Sequence, residues 1–118
     1  MIRSAEADGW DAVRKAAFRR DGGCVAVNPA IFDHDVAPDL CADQWGGFIH
    51  WSDYGRLEFD HVKEQSVLGK KPPDDEAHGV MACPWHHRLS QRWRTDSAVH
   101  REKLRDWLRK HYPEVWGA

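Results

Sequence analysis

The sequence predicts an α+β fold, in which a β-hairpin is followed by a short helix and a further helix lies on each side. Two stretches of the chain indicate this. Residues 57–62 alternate apolar and polar side chains, which is the pattern of a half-buried strand. Residues 78–87 contain a short apolar run and then Pro84, a residue typical of the start of a helix. The length favours a single domain over residues 1–118.

Residues 8–20 are predicted to form the first helix. Trp10, Val13 and Ala17 place apolar side chains at helical spacing along this segment. Gly22 follows, and glycine readily takes the left-handed conformation that ends a helix. We therefore expect one face of this helix to pack in the core.

The hairpin is predicted to lie in the middle of the chain. Residues 46–51 are aromatic and β-prone, and residues 56–62 form the next strand. The intervening sequence, Ser-Asp-Tyr-Gly over residues 52–55, is typical of a turn. The two strands are therefore expected to pair directly with each other.

Two more helices are predicted after the hairpin. The first runs over residues 84–93 and would complete a core spanning about residues 46–95. One of residues 95–97 offers an N-cap for the last helix, which is expected over about residues 96–112 and ends before Pro113.

Charge is unevenly distributed along the chain. The formal net charge is −2, but residues 1–83 carry nine Lys/Arg against fifteen Asp/Glu, a balance of −6. Residues 84–118 carry eight against four, a balance of +4. A local basic surface is enough to bind phosphate groups, so the last third of the chain is the better candidate for a polyanion partner.

The cysteine count and the N-terminus bear on compartment. Three cysteines cannot all pair within one chain, so metal ligation is a better use for them than disulfides. The first residues lack the apolar region of a signal peptide, and no stretch approaches the ~20 apolar residues of a membrane span. We expect a soluble protein of the cytoplasm with no membrane partner.

One group of residues resembles the HNH, or ββα-metal, nuclease motif. In that family an Asp-His or His-His pair ends a strand, an Asn opens the second half, and a last His lies on the following helix. Asp60 and His61 match the first element and His87 the last. His78 stands where the family usually has Asn, and Glu58 matches a common acidic position. The resemblance covers most of the chain.

The resemblance implies a metal-dependent DNA endonuclease that hydrolyses phosphodiester bonds. His61 would be the general base, because an ordinary imidazole is mostly unprotonated at neutral pH. Asp60 and His87 would hold one catalytic divalent ion (Mg, Mn, Ni or Co) and leave positions open for phosphate and water. His78 would either tie the loop together or reach the metal, and Glu58 would lie beside the site or simply be solvated.

A second set of residues has the composition of a structural zinc site. Zinc-bearing HNH proteins carry a Cys-x-x-Cys pair where this chain has Cys83-x-x-His86, and Cys24 and Cys41 would complete a Cys3His tetrahedron. The alternative is three buried free thiols. His86 and His87 could also exchange roles, because neighbouring helical residues point about 100° apart.

DNA is the expected partner. Arg88 and Arg92 are four residues apart on the predicted helix, and with Arg94 they would contact phosphates; the alternative surface is on the loop lysines Lys63, Lys70 and Lys71. Small HNH proteins of this size resemble phage-encoded nucleases, which suggests phage packaging proteins as further partners and the host cytoplasm as location.

The competing hypothesis is a non-catalytic, zinc-stabilised module that binds nucleic acid or protein. The Asp60, His61 and His87 set favours the nuclease, because a binding module has no need of an open metal site. Asp33, His34 and Asp35 could form another metal site but are more often simply solvated.

Overall fold

The computed structural model, which describes residues 5–32, 40–63 and 73–117, has an α+β fold with a two-stranded antiparallel sheet and helices, as the sequence predicted at the level of fold class. Helix α1 (Ala5–Asp21) precedes strands β1 (Glu58–His61) and β2 (Gly79–Ala82), and helices α2 (Ala98–His111) and α3 (Pro113–Trp116) follow them. A single helical turn, Trp85–Leu89, connects β2 to the segment before α2. The candidate sites at residues 33–35 and at Lys70 and Lys71 lie outside the described residues.

The strand pairing differs from the prediction. β1 pairs antiparallel with β2, so that Glu58 lies opposite Ala82 and His61 opposite Gly79. The prediction that residues 46–51 pair with β1 was wrong. Within the described residues, their strand-like contact is an isolated bridge from Phe48 to Ala42. Phe48 is two-thirds exposed, whereas all four residues of β2 are buried. Burial of β2 on both faces therefore outweighs the β-propensity of the aromatic segment.

Helix α1 confirms the helix predicted over residues 8–20, and it is hydrogen-bonded to both β2 and α2. Its last residue, Asp21, is 2% exposed and accepts hydrogen bonds from the Met81 amide and the Trp107 indole, each 2.9 Å long. Gly22 follows with φ of +74°, and its amide bonds to the Phe18 carbonyl as in a left-handed helix cap. One buried carboxylate thus joins three elements.

The helix predicted over residues 84–93 is much shorter. The Ser90 amide bonds to the Trp85 carbonyl five residues back, which is a π-type closure, and Ser90 itself is extended. Arg88 and Arg92 therefore do not share a helix face, and that prediction was wrong. The chain after Ser90 folds back until the Thr95 amide bonds to the His86 carbonyl.

The last predicted helix is confirmed as α2. Ser97 caps it by accepting a hydrogen bond from the His100 amide. Leu104 and Leu108 are fully buried in the same hydrophobic core as Val80 and Met81 of β2. Helix α3 was not predicted, and its Trp116 indole donates to the Ala77 carbonyl. Within the described segments, the helices are too short or too polar to span a bilayer.

Candidate functional site

Four side chains from distant parts of the chain meet in the core, as predicted. The ligand atoms all lie within 4.8 Å of one another, and all four residues are buried: Cys24, Cys41, Cys83 and His86. His86 Nδ1 lies 3.9, 3.8 and 3.2 Å from the three sulfurs in that order. Each donor comes from a different part of the chain: Cys24 from the loop after α1, Cys41 from the segment before residues 46–51, Cys83 from the end of β2 and His86 from the helical turn.

These distances suit a tetrahedral ion. Ligands at about 2.3 Å for sulfur and 2.0–2.1 Å for nitrogen place sulfurs about 3.8 Å apart and sulfur and nitrogen about 3.6 Å apart. The donor set is the one that zinc prefers in closed structural sites. Two amides also point at sulfur: Cys83 N lies 3.3 Å from Cys24 Sγ, and His86 N lies 3.4 Å from Cys83 Sγ. The cluster could therefore bind a structural metal such as zinc.

The ionisation of the thiols supports the same conclusion. Burial raises the pKa of Cys24 well above its ordinary value, while hydrogen bonds from Cys24 and Cys41 lower the pKa of Cys83. Three packed thiols alone thus favour one thiolate at the expense of the others. A divalent cation would allow all three to ionise together.

The two neighbouring histidines have separate surroundings. His86 is fully buried against the sulfurs, and its ring packs edge-on against Trp93. His87 turns away towards β1, where its Nδ1 lies 2.8 Å from Glu58 Oε1 and its Nε2 lies 3.3 Å from Asp60 Oδ1. Of the two alternatives left open by the sequence, the cysteine cluster therefore takes His86.

Charge is tightly paired around His87. Burial alone would lower the pKa of His87, but its hydrogen bonds and attraction to Asp60 and Glu58 outweigh this and raise it. Burial would likewise raise the pKa of Glu58, and the contacts with Arg88 and His87 outweigh it and lower it. The His87 ring thus lies between two carboxylates, which favour its protonated form.

Asp60 is the most enclosed carboxylate at this end of β1, at 2% exposed. Thr95 Oγ1 donates to Asp60 Oδ2 at 2.6 Å. The Arg101 guanidinium donates to both carboxylate oxygens, at 3.1 Å to Oδ2 and 2.9 Å to Oδ1. Burial opposes ionisation, but the hydrogen bond with His87 and the charge of Arg101 hold the pKa of Asp60 below its usual value. Since a carboxylate offers about four acceptor sites, these contacts engage nearly all of them.

His61 is held on the other face of β1. Its Nε2 lies 2.7 Å from Asp74 Oδ1, and its ring stacks on Trp10 with centroids 6.0 Å apart. If the Nε2 proton is donated to Asp74, the unprotonated lone pair is on Nδ1. That is the state a general base needs.

His78 makes contacts of its own. It is 6% exposed, its Nδ1 lies 2.6 Å from Asp75 Oδ1, and its carbonyl accepts from the Val62 amide. These contacts tie the end of the connecting loop to β1, which was one of the two roles expected for it. Within residues 5–32, 40–63 and 73–117, the cysteine cluster is the one group of three or more donors close enough to share an ion.

The three arginines expected at DNA lie on or just after the helical turn. Arg88 contacts Glu58 at 3.3 Å, and Arg94 contacts Asp96 at 3.2 Å, with about half of each side chain exposed. Arg92 is exposed and lines a surface groove. All three are accessible to a polyanion, and phosphate binding by them stays a prediction.

Sequence reasoning missed the partners of the predicted site residues. In the sequence Thr95 is only one of three possible helix caps, Arg101 is one of eight Lys/Arg after residue 83, and Asp74 has no distinguishing pattern around it. Their roles arise from distances across 13 to 41 residues of chain. No local pattern signals them.

The Asp60–Arg101 pair gives a stability prediction. Changing Arg101→Gln should lower the free energy of unfolding by about 3–5 kcal/mol, because it leaves a buried carboxylate with one fewer cation. Arg105→Gln is the matched control: Arg105 donates from the surface to the Lys63 carbonyl, and its loss should cost less than about 0.5 kcal/mol. Urea unfolding at neutral pH measures both. Equal midpoints would show that Arg101 does not support Asp60.

Comparison with protein-family models, with curated proteins and with solved structures finds no match to this chain.

Proposed function

We propose that the chain is a divalent-metal-dependent DNA endonuclease with a zinc-stabilised core. The observation that carries this proposal is the grouping at β1. Asp60 Oδ1 lies 3.3 Å from His87 Nε2, and the neighbouring His61 is held through Nε2 by Asp74. A metal-ligand pair and an oriented imidazole are the groups that activate water against a phosphodiester, and here they lie on opposite faces of β1 at its C-terminal end.

The order of elements supports the proposal as well. β1 leads through a loop to antiparallel β2, and the helical turn follows at once, so that strand, strand and helix carry the acid–histidine pair and the last histidine. The zinc at the cysteine cluster would fix this turn, because Cys83 and His86 flank it at one end. The same ion would hold His87 in its orientation towards Glu58 and Asp60.

His61 is assigned the role of general base. Its ring is fixed by stacking on Trp10 and by the contact with Asp74. The ring is therefore already oriented before substrate binds, so that orienting it adds nothing to the reaction barrier. Nδ1 would accept the proton of the attacking water, and Asp74 would stabilise the imidazolium that forms.

Asp60 and His87 would hold the divalent ion, which supplies Lewis-acid stabilisation of charge on the phosphate and the departing oxygen. The two donors suit one ion in separation, since ligands at about 2.1 Å and right angles lie about 3 Å apart. Arg101 competes for the same carboxylate, and the raised pKa of His87 means that protons compete with the ion for its ring nitrogen. We therefore expect the ion to bind weakly and to be supplied from solution.

The alternative is the non-catalytic zinc-stabilised binding module, and one observation favours it. Thr95, Arg101 and His87 engage nearly every acceptor site of Asp60. In that case Asp60 would serve only to anchor α2 to β1.

Cleavage of supercoiled plasmid DNA separates the two functions. Zinc-loaded protein should relax or linearise the plasmid only after addition of Mg²⁺, Mn²⁺, Ni²⁺ or Co²⁺, and not with its resident zinc alone. Protein that is folded, holds zinc and binds DNA, yet leaves plasmid intact with all four ions, would support the binding module instead.

A further inference from the structure

Exposed apolar side chains gather at one place on this protein. Leu40, Trp45 and Phe48 are 73%, 82% and 67% exposed, and we call these three residues the aromatic rim. They are half of the six exposed large hydrophobic residues in the described segments. Single exposed apolar side chains are ordinary, but three within nine residues require an explanation.

The rim borders a groove of about 660 Å³. Leu40 and Phe48 line the groove directly, and Trp45 is next to Gly46, which also lines it. The far wall is made by Trp85 and Leu89 of the helical turn, with Arg92 beyond them. Apolar surface thus continues from the exposed rings into a cleft.

The rim is held rigidly. Asp43 Oδ1 accepts hydrogen bonds from the Trp45 and Gly47 amides, each 2.9 Å long, and its Oδ2 pairs with Arg56 at 3.0 Å. Gly46 completes the turn with φ of +83°, a value that favours glycine. The backbone that carries the rings is therefore fixed before binding, which lowers the entropy cost of binding.

The base of the turn is fixed to the cysteine cluster. The Ile49 amide donates to the Cys41 carbonyl, and the Trp85 amide donates to the Ala42 carbonyl. Because Cys41 is one of the four candidate zinc ligands, metal binding would also fix the rim. The rim is therefore part of the rigid centre of the protein.

Charge decides which partner suits this surface. Among the described residues that line the groove, Arg92 is the charged one, and the nearby acid Asp43 contacts Arg56 and two amides. Exposed aromatic rings beside an arginine are the combination that binds single-stranded nucleic acid, in which bases stack on the rings and phosphates meet the cation. Duplex DNA keeps its base faces covered and could use only the arginine.

We propose that the aromatic rim stacks unpaired bases of a DNA strand, and that the preferred substrate contains a single-stranded segment. The cleavage part of this inference rests on the proposed function, whereas the binding part does not. Trp85 and Leu89 face the groove, and His87 lies on the opposite side of the same helical turn. The groove and His87 therefore lie on opposite sides of one helical turn, and a helix with its side chains is about 10–12 Å across.

Binding of a labelled thymine-rich oligonucleotide, alone or annealed to its complement, tests the proposal. Fluorescence anisotropy without added divalent ions keeps cleavage out of the measurement. Trp45→Ala and Phe48→Ala should each weaken single-strand binding about 5- to 150-fold, the usual effect of removing one base–aromatic stack. Duplex binding should change little. Val99→Ala is the control, because Val99 is 67% exposed on α2 and does not line the groove.

Single-strand affinities of Trp45→Ala and Phe48→Ala that match Val99→Ala would overturn the proposal. A wild-type dimer that Trp45→Ala converts to monomer, with unchanged DNA affinity, would overturn it too and make the rim a contact between copies of this chain. Single-strand binding that depends on the rings, by a protein that cleaves no DNA, would support base stacking at the rim and contradict the proposed endonuclease activity. Plasmid cleavage by a protein whose single-strand affinity does not depend on the rings would support the nuclease and reject base stacking at the rim.

Discussion

Replacing His61 by alanine is expected to reduce divalent-dependent DNA cleavage about 10²–10⁴-fold, the usual contribution of a general base. The side chain would no longer accept a proton from water, whereas Asp60 and His87 would keep their contacts. Cleavage of plasmid under single-turnover conditions measures the chemical step. Zinc content should be unchanged, because His61 is not part of the cysteine cluster.

The His61 result needs two comparisons. His50→Ala removes an exposed imidazole that bonds only locally, to Ser52, and should leave the rate unchanged. Asp74→Asn keeps the size of the group but removes its charge, so it should give an intermediate loss by weakening support of the imidazolium. Wild-type rates for His61→Ala in a folded, DNA-binding protein would remove His61 from the mechanism.

The elements that the sequence predicted correctly are those with strong local signals. Helix α1 has periodic apolar residues and a glycine stop, and α2 has a serine cap and a proline after its end. The cysteine cluster could be predicted despite gaps of 17 and 42 residues between its cysteines, because ligand chemistry restricts which residues can meet in a core. Local propensity and donor chemistry were sufficient there.

The errors arose where distant residues decide the structure. The partner of β1 could not be chosen from alternation alone, since residues 46–51 and β2 are both β-prone, and only burial distinguishes them. The short turn after Pro84 depends on Ser90 accepting from the Trp93 amide, which halts the helix. The choice between His86 and His87 follows from that turn. Such contacts are formed by the fold and leave no periodic pattern in the sequence.

Loss of the zinc ligands should have the largest effect on stability. Cys83→Ser or His86→Ala is expected to release the metal and lower Tm by at least about 10 °C, because about 3 kcal/mol is enough for that in a domain of this size. Structural zinc contributes more than this in small metal-dependent domains. The cluster ties together four segments, and the helical turn would lose its attachment to the loop after α1.

Neighbouring histidines supply the control for this prediction. Metal analysis of protein purified without chelator should find about one zinc per chain in the wild type and in His87→Ala, and none in His86→Ala. The two changes remove the same group from adjacent positions, so a difference in zinc content and Tm isolates coordination from the general cost of losing an imidazole. His87→Ala should still lose cleavage, since it removes a proposed ligand of the catalytic ion. Zinc retained equally by both variants would remove His86 from the ligand set, and a folded wild type without zinc would leave the three cysteines as ordinary core residues.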